Sequence, residues 1–310
     1  MPPSQSGIAA TIALSIGLVA GPNVVQAQQG MDDMPILPKR ALDVGVAHST
    51  DSWSRYWEGT LKRSNQNIGT LTTQTTAMMV SYGVTDRFDV TAMLPYVTTS
   101  ASQGTLHEMS GVQDFSISGR YRVLKTPLTS HAALSAIVIG SAGIPASNYT
   151  PDYLPLSIGS ASRRASARML LNLQSDAWWF VNGSSGYTWR RNVRLDRSAY
   201  YTQGQLYLTN EVEMPDVADY TLSAGYRVGR LCIPLMVTQQ RTLGGGDIRR
   251  QDMPFVSNRM DFVKVGGSVM YTLSVPKRVS VHAGTMRTVS GRNVGQSETF
   301  TAGVTYAVHR

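Results

Sequence analysis

Apolar and polar residues alternate most regularly over residues 114–123, which read DFSISGRYRV. Phe115, Ile117, Tyr121 and Val123 take odd positions together with one glycine, whereas every even position is polar or charged. Side chains of a β-strand point alternately to its two faces, so the pattern predicts a strand with one apolar and one polar face. A soluble β-sandwich buries the apolar face against a second sheet, whereas an outer-membrane barrel turns it to lipid and lines its lumen with the polar face.

The same alternation recurs along most of the chain. Twelve segments carry it, near residues 42–47, 78–84, 88–96, 112–124, 131–140, 164–173, 179–190, 219–228, 231–242, 263–272, 279–283 and 300–308. The connections are alternately short, near 84–87, 124–129, 174–177, 229–230 and 274–277, and long, near 51–67, 98–111, 143–162, 191–217, 243–259 and 290–297. Short periplasmic turns alternating with long external loops are typical of outer-membrane barrels. The pattern therefore predicts an all-β fold, an antiparallel transmembrane β-barrel of about 12 strands.

Residues 199–214, AYYTQGQLYLTNEVEM, leave the strand number open. They lie inside the long connection 191–217, yet they alternate well enough to form a strand pair of their own. We interpret them as a hairpin that projects from the loop. If the hairpin crossed the membrane instead, the barrel would have 14 strands.

The N-terminal residues predict export. Residues 8–20, IAATIALSIGLVA, form an apolar stretch that a Gly-Pro pair ends, and small residues near position 27 suit a cleavage site. Residues 1–27 are therefore expected to be a signal peptide, residues 28–40 a leader and residues 41–310 the barrel, placed in the bacterial outer membrane. No run of about 18 apolar residues follows, which excludes a helical membrane protein. The single cysteine, Cys232, rules out an internal disulfide.

The polar faces of the predicted strands carry many charges, and we expect these to line the lumen. The candidates are Arg120, Arg122, Arg164, Arg168, Arg190, Arg227 and Lys264, with Asp43, Asp89, Asp114 and Asp219. Seven positive residues against four negative ones predict a basic lumen. Two interpretations stay open, because a 12-strand barrel lies between small filled barrels and open porins. The charges either line a path for solutes or pair with one another and plug a structural or adhesion barrel.

The connection at 244–259, GGGDIRRQDMPFVSNR, is the most unusual external segment. Its glycines permit sharp turns, and its charged residues are placed to form an ion-pair network. These residues are Asp247, Arg249, Arg250, Asp252 and Arg259. We consider the loop a candidate constriction that folds into the lumen, and a solvated structural loop is the alternative.

Catalysis finds little support in the sequence. The five histidines show no metal-ligand spacing such as HExxH, and no Ser-His-Asp arrangement of a barrel lipase can be assembled. We therefore predict no enzymatic activity, no catalytic or metal-binding residues and no cofactor. The net charge of +8 is not clustered, so nucleic acid is not an expected partner. The expected partners are outer-membrane lipid and small-molecule solutes, and the oligomeric state stays undetermined.

Several segments resemble a known family. Residues 82–97, YGVTDRFDVTAMLPYV, are similar to a hairpin found in outer-membrane transporters of the family named for the meta-pathway of phenol degradation. Residues 111–122, GVQDFSISGRYR, resemble the family's next strand, and residues 186–191 and 301–306 also fit. The resemblance spans most of residues 41–308. It implies an outer-membrane barrel that passes small aromatic or other hydrophobic compounds.

Overall fold

The structure is a computed structural model that describes residues 36–105, 107–249 and 254–309. Twelve long strands form its main sheet: β1 (Leu42–Trp53), β2 (Leu71–Thr85), β3 (Phe88–Ala101), β4 (Asp114–Thr129), β5 (Ala132–Pro145), β6 (Arg164–Ser175), β7 (Trp179–Arg190), β8 (Val217–Val228), β9 (Leu231–Thr242), β10 (Asp261–Thr272), β11 (Val279–Arg292) and β12 (Glu298–His309). In these residues no helix has the length and apolar character needed to span a bilayer. The predicted signal peptide and residues 28–35 of the leader lie outside the described residues.

Each strand pairs antiparallel with the next along the chain, and β1 pairs with β12. This last pairing closes the sheet into a 12-strand barrel, as predicted. The alternative of 14 strands is wrong. The predicted hairpin forms two small separate ladders, Tyr200–Thr202 with Gln205–Tyr207 and Val193–Arg194 with Glu211–Val212. Their strands have only two or three residues, far fewer than the 9–11 that a membrane crossing needs.

The connections alternate in length as predicted, and the short turns define one end of the barrel, which we call the periplasmic end. Both β1 and β2 extend beyond the predicted segments toward the external end. Their added residues, 48–53 and 71–77, are mostly polar at both odd and even positions. They extend the wall where it no longer faces lipid, and for that reason hydrophobic alternation does not reveal them. This end also carries three short strands, Arg55–Glu58, Leu61–Ser64 and Met109–Val112.

The two faces of the wall match the alternation. On β4, Asp114 and Arg120 are buried inside, whereas Phe115, Ile117 and Tyr121 are exposed on the outside. Exposed valine, leucine, isoleucine and aromatic side chains continue this outer belt around the other strands. An apolar exterior around a polar interior is the arrangement of membrane barrels, and it places the predicted charged residues toward the lumen.

Candidate functional site

Two ion pairs lie on the inner face of the wall, one toward each end of the barrel. Arg120 on β4 holds Asp89 on β3 in a forked contact, Nε to Oδ1 at 2.9 Å and Nη2 to Oδ2 at 2.6 Å. Near the external end, Nη1 of Arg164 lies 2.5 Å from Oδ2 of Asp114. All four side chains are buried, so each charge has lost most of its water and needs the opposite charge beside it.

A third ion pair spans one intervening strand. Arg168 on β6 and Asp219 on β8 both lie level with Gly186 on β7. The Nη2 atom of Arg168 reaches Oδ2 of Asp219 at 2.8 Å. A Cβ atom at position 186 would lie 2.8 Å from Oδ1 of Asp219, closer than real Cβ atoms approach. The absent side chain of Gly186 therefore makes room for the pair.

The only predicted lysine of the lumen also faces a carboxylate. Nζ of Lys264 on β10 lies 3.9 Å from Oδ2 of Asp51 on β1, and both side chains are buried. Thr299 donates its hydroxyl to the same carboxylate oxygen at 2.6 Å. The sequence does not single out Asp51, because it falls at the start of the predicted connection 51–67. Its odd position, in phase with Asp43, is the signal that could have revealed it.

Three predicted basic residues have no carboxylate within ion-pair distance among the described residues. Arg122 donates to the carbonyl of Asp86 in a periplasmic turn, at 2.6 Å. The guanidinium of Arg227, also near the periplasmic end, lies 5.3 Å from the ring centre of Phe180. At the external end, Nε of Arg190 donates to the Pro215 carbonyl at 2.6 Å. These three arginines therefore lie near the ends of the inner wall, whereas the other predicted basic residues pair with aspartates.

The end of the leader turns into the periplasmic mouth. The amide of Leu37 donates to Oδ2 of Asp89 at 2.8 Å, so this carboxylate serves both Arg120 and the leader. Gly83 on the inner face of β2 exchanges backbone hydrogen bonds with residues 40 and 41. A Cβ atom at position 83 would lie 1.9 Å from the Pro38 carbonyl oxygen, so the close approach requires glycine.

A small apolar cluster anchors the same segment. Ile36 is buried against inward-facing side chains of β5 and β6. The cluster consists of Ile36, Ile137, Ile139 and Leu170. Because these residues cross from the leader to the opposite wall, residues 36–41 cover part of the periplasmic mouth.

The external mouth is covered by the connection between β5 and β6. Leu156 and Ile158 in this connection are buried. The hydroxyl of Thr99 donates to the carbonyl of Leu156, and the side-chain amide of Gln113 donates to the carbonyl of Ile158. Thr99 lies on the inner face of β3, so residues 156–158 reach the inside of the wall rather than standing above it. Hydrophobicity could not distinguish this loop from the others.

Tyr149 links the connection between β5 and β6 to the ion pair of Arg164 and Asp114. Its hydroxyl donates to Oδ1 of Asp114 at 2.5 Å and accepts the amide of Ala161 at 3.0 Å. Burial raises the pKa of the Tyr149 hydroxyl far above its ordinary value, and the Asp114 carboxylate raises it further. The phenol therefore stays protonated and keeps donating. Asp114 thus holds both Arg164 and the loop, a contact between residues 35 positions apart that no sequence motif indicates.

The described residues of the predicted constriction loop form ion pairs at the external end of the barrel. Asp247 binds Arg292, with Nε to Oδ1 and Nη2 to Oδ2 both 2.7 Å, and Arg259 pairs with Asp261 at 2.7 Å. Arg249 is exposed and lies near the hairpin at 200–207. Both ion pairs use partners outside the predicted set. The two remaining candidates, Arg250 and Asp252, lie outside the described residues.

The described part of that loop instead joins an external cap built from several connections. Its apolar core consists of Leu154, Val193, Leu195, Tyr200, Val212, Met214, Val256 and Met260. Tyr200 stacks on Tyr207 and Phe255, with ring centres 5.1 and 5.2 Å apart. Between the cap and the strand ends lies a cavity of about 500 Å³, whose lining includes Arg190, Glu213 and Asp216. The cap thus borders a polar space that contains Arg190 beside two carboxylates, of which Asp216 accepts the backbone amide of Arg190 at 2.9 Å.

Comparisons with known proteins support the fold. No family model matches the chain, and no curated protein matches it. Among solved structures, the COG4313 outer membrane channel from Pseudomonas putida F1 is similar with a TM-score of 0.68 at 16% identity, covering 87% of this chain and 96% of the channel. KdgM porin in complex with disordered oligogalacturonate gives 0.47 at 7% identity over 86% and 99%. The first of these shows that the chain shares the fold of an outer-membrane channel.

Proposed function

We propose that the protein is an outer-membrane channel through which small solutes diffuse passively. One observation carries the proposal: the closed barrel has a polar, charged inner wall and an apolar outer belt. Protein interiors that serve only packing are mainly apolar, whereas a polar lumen is what a path for water and solutes requires. The shared fold with the Pseudomonas channel supports the proposal without identifying a solute.

We further propose that the solutes are small and either aromatic or anionic. The resemblance to the phenol-degradation family motivates the aromatic class. The guanidinium groups of Arg190 and Arg227 support both classes, because a planar cation pairs with carboxylates and stacks on rings. Arg227 already lies against the ring of Phe180. Small size follows from the buried ion-paired side chains that project from the inner wall into the lumen.

The alternative is a structural or adhesion barrel that transports nothing. The matched charges of the inner wall and the segments across both mouths favour it. In this alternative the ion pairs and the two covering segments are permanent. In the channel, residues 36–41 or 156–158 move aside.

Planar-bilayer recordings of the mature protein test the two alternatives. We expect small conductance steps from the wild type. Replacing the buried Ile36 and Leu37 together by serine should raise conductance or open time several-fold, because it loosens the leader. The exposed Lys39 provides the control, since Lys39→Ala should change neither. Silent bilayers from the wild type and the double variant, at high protein load, would favour the structural barrel.

Reversal potentials in a salt gradient test the role of the arginines. Exchanging Arg190 and Arg227 for glutamine should lower the ratio of anion to cation permeability at least twofold. Arg55→Gln/Lys62→Gln removes the same charge from an external hairpin and serves as the control. An unchanged permeability ratio in the Arg190/Arg227 variant would show that the protein is a channel whose selectivity does not depend on these arginines.

A further inference from the structure

Two arginines stand side by side at the external rim of the barrel wall. Arg163 directly precedes β6, Arg191 directly follows β7, and the amide of Arg191 donates to the carbonyl of Arg163 at 2.8 Å. Both side chains are exposed. Opposite positions on adjacent strands bring Cβ atoms to about 5 Å, where like charges destabilise each other. An anion between the two guanidinium groups would convert this repulsion into attraction.

Neither arginine has a carboxylate within ion-pair distance in the part of the chain that the structure describes. Most other arginines near this end do have one. The paired ones include Arg63 with Glu58, Arg164 with Asp114, Arg197 with Asp152, Arg259 with Asp261 and Arg292 with Asp247. The two arginines at the rim therefore belong, with Arg190, to the minority at this end that has no carboxylate partner among the described residues.

Their height on the wall matches the edge of the lipid layer. Trp189 lies two residues before Arg191 on the outer face of β7, with about half of its surface exposed. Its ring centre is 5.0 Å from that of Tyr187. Tryptophan and tyrosine concentrate at the membrane interface. With a rise of about 3.4 Å per residue, Arg191 reaches roughly 7 Å beyond Trp189, less the strand tilt, toward the headgroups.

A cavity adjoins Arg163 on the outer side of the wall. It has a volume of about 500 Å³, and Arg163 contributes to its lining. Ile144 and Pro145 form an apolar side of the cavity, and Ser147 and Asn148 form a polar side. Ile144 is half exposed on the lipid-facing side of β5. An amphiphile fits this composition, with its chain against the wall and its polar group at the arginines.

We propose that Arg163, Arg191 and this cavity bind a phosphate group of a phosphorylated lipid in the outer leaflet, namely lipid A. Guanidinium groups bind phosphate through paired charge-assisted hydrogen bonds, and basic pockets at a membrane surface recognise lipid headgroups. Bound lipid would also neutralise the two facing charges. The site lies on the outer wall, so its occupancy does not depend on whether the lumen conducts.

Native mass spectrometry of the detergent-purified protein tests the site. Delipidated protein is titrated with purified lipid A, with the same lipid after removal of its phosphates, and with inorganic phosphate at equal concentration. The variant Arg163→Gln/Arg191→Gln should bind lipid A at least fivefold more weakly than the wild type. Arg55→Gln/Lys62→Gln, which removes two charges from the external hairpin, should bind like the wild type. Heat-dependent gel mobility verifies that each variant is folded.

Several outcomes would overturn the proposal. Equal lipid A binding by the folded rim variant would show that the two arginines are not the site. Equal binding of the dephosphorylated lipid would show that phosphate is not what the site recognises. If inorganic phosphate displaced lipid A at equal concentration, the arginines would form a site for small anions and not for lipid. None of these results bears on conductance, so the channel proposal stands or falls separately.

Discussion

The inner wall and the external loops contain ion pairs of nearly the same contact distance in different surroundings. Arg168 and Asp219 lie 2.8 Å apart inside the barrel, where 6% and 1% of their side-chain surfaces are exposed. Arg292 and Asp247 lie 2.7 Å apart in the loops, with 35% and 40% exposed. Ions that have lost their water depend on the opposite charge, whereas exposed ions exchange a partner for solvent at little cost. Contact distance alone therefore does not rank these interactions.

The largest expected effect comes from removing one partner inside. Asp219→Ala leaves Arg168 buried without its carboxylate, and such a loss typically costs about 3–5 kcal/mol of unfolding free energy. Asp247→Ala in the loops should cost less than about 1 kcal/mol. Guanidinium titrations of tryptophan fluorescence in lipid vesicles measure both values. Similar costs at the two positions would contradict the comparison.

Removing both charges of the inner pair tests whether the instability of Asp219→Ala comes from leaving the charge of Arg168 buried without that carboxylate. In Arg168→Met/Asp219→Leu neither charge of this pair stays buried, so we expect the double variant to recover more than half of the stability lost in Asp219→Ala. If the double variant is as unstable as the single one, the carboxylate acts through other contacts and not through the charge of Arg168.

A smaller effect is expected from filling the space beside Gly186, where Arg168 and Asp219 meet. Gly186→Ala places a methyl group 2.8 Å from Oδ1 of Asp219, and overpacking of this kind costs about 1–3 kcal/mol. The control is Gly140→Ala on β5, where an added Cβ meets nothing within 4 Å. The difference between the two variants, measured in the same titration, isolates the crowding. Equal stability of both would mean that Asp219 can shift without loss.

The wall of the barrel could be predicted from sequence because the position of a residue along its own strand decides whether it faces lipid or the lumen. Lipid outside and polar groups inside impose a two-residue period, and this period revealed the strand number and the two faces. This period stops where the strand leaves the lipid, so the first predicted strand ends at residue 47 and Asp51 falls in the predicted connection 51–67. The hairpin at 199–214 shows the converse, since its alternation reflects packing within the external cap and not a membrane crossing.

The contacts of the candidate site depend on long-range geometry and could not be predicted in the same way. The alternation of polar and apolar residues predicts that Arg168 and Asp219 face inward. Their pairing, however, depends on the strand between them and on Gly186. Composition makes 244–259 a candidate constriction, but composition does not determine where a loop folds, so this stays a prediction. Residues 156–158, with little charge, reach the inner wall because Thr99 and Gln113 bind their carbonyls.

The smallest expected effect concerns pH and the exposed pair. The hydrogen bonds from Arg292 keep the pKa of the Asp247 carboxyl below its ordinary value of 3.8, and the side-chain amide of Asn293 lowers it further. Because the folded pKa is depressed, this contact contributes its full stability above pH 3.8 and loses it as the pH falls through the folded pKa. We expect the external loops to resist pepsin at pH 4 and to become several-fold more susceptible near pH 2. Asp247→Asn should be equally susceptible at both pH values, apart from the change in pepsin activity, which a denatured substrate calibrates. Greater susceptibility of the wild type at pH 4 than near pH 2, after calibration, would contradict the sign of the shift.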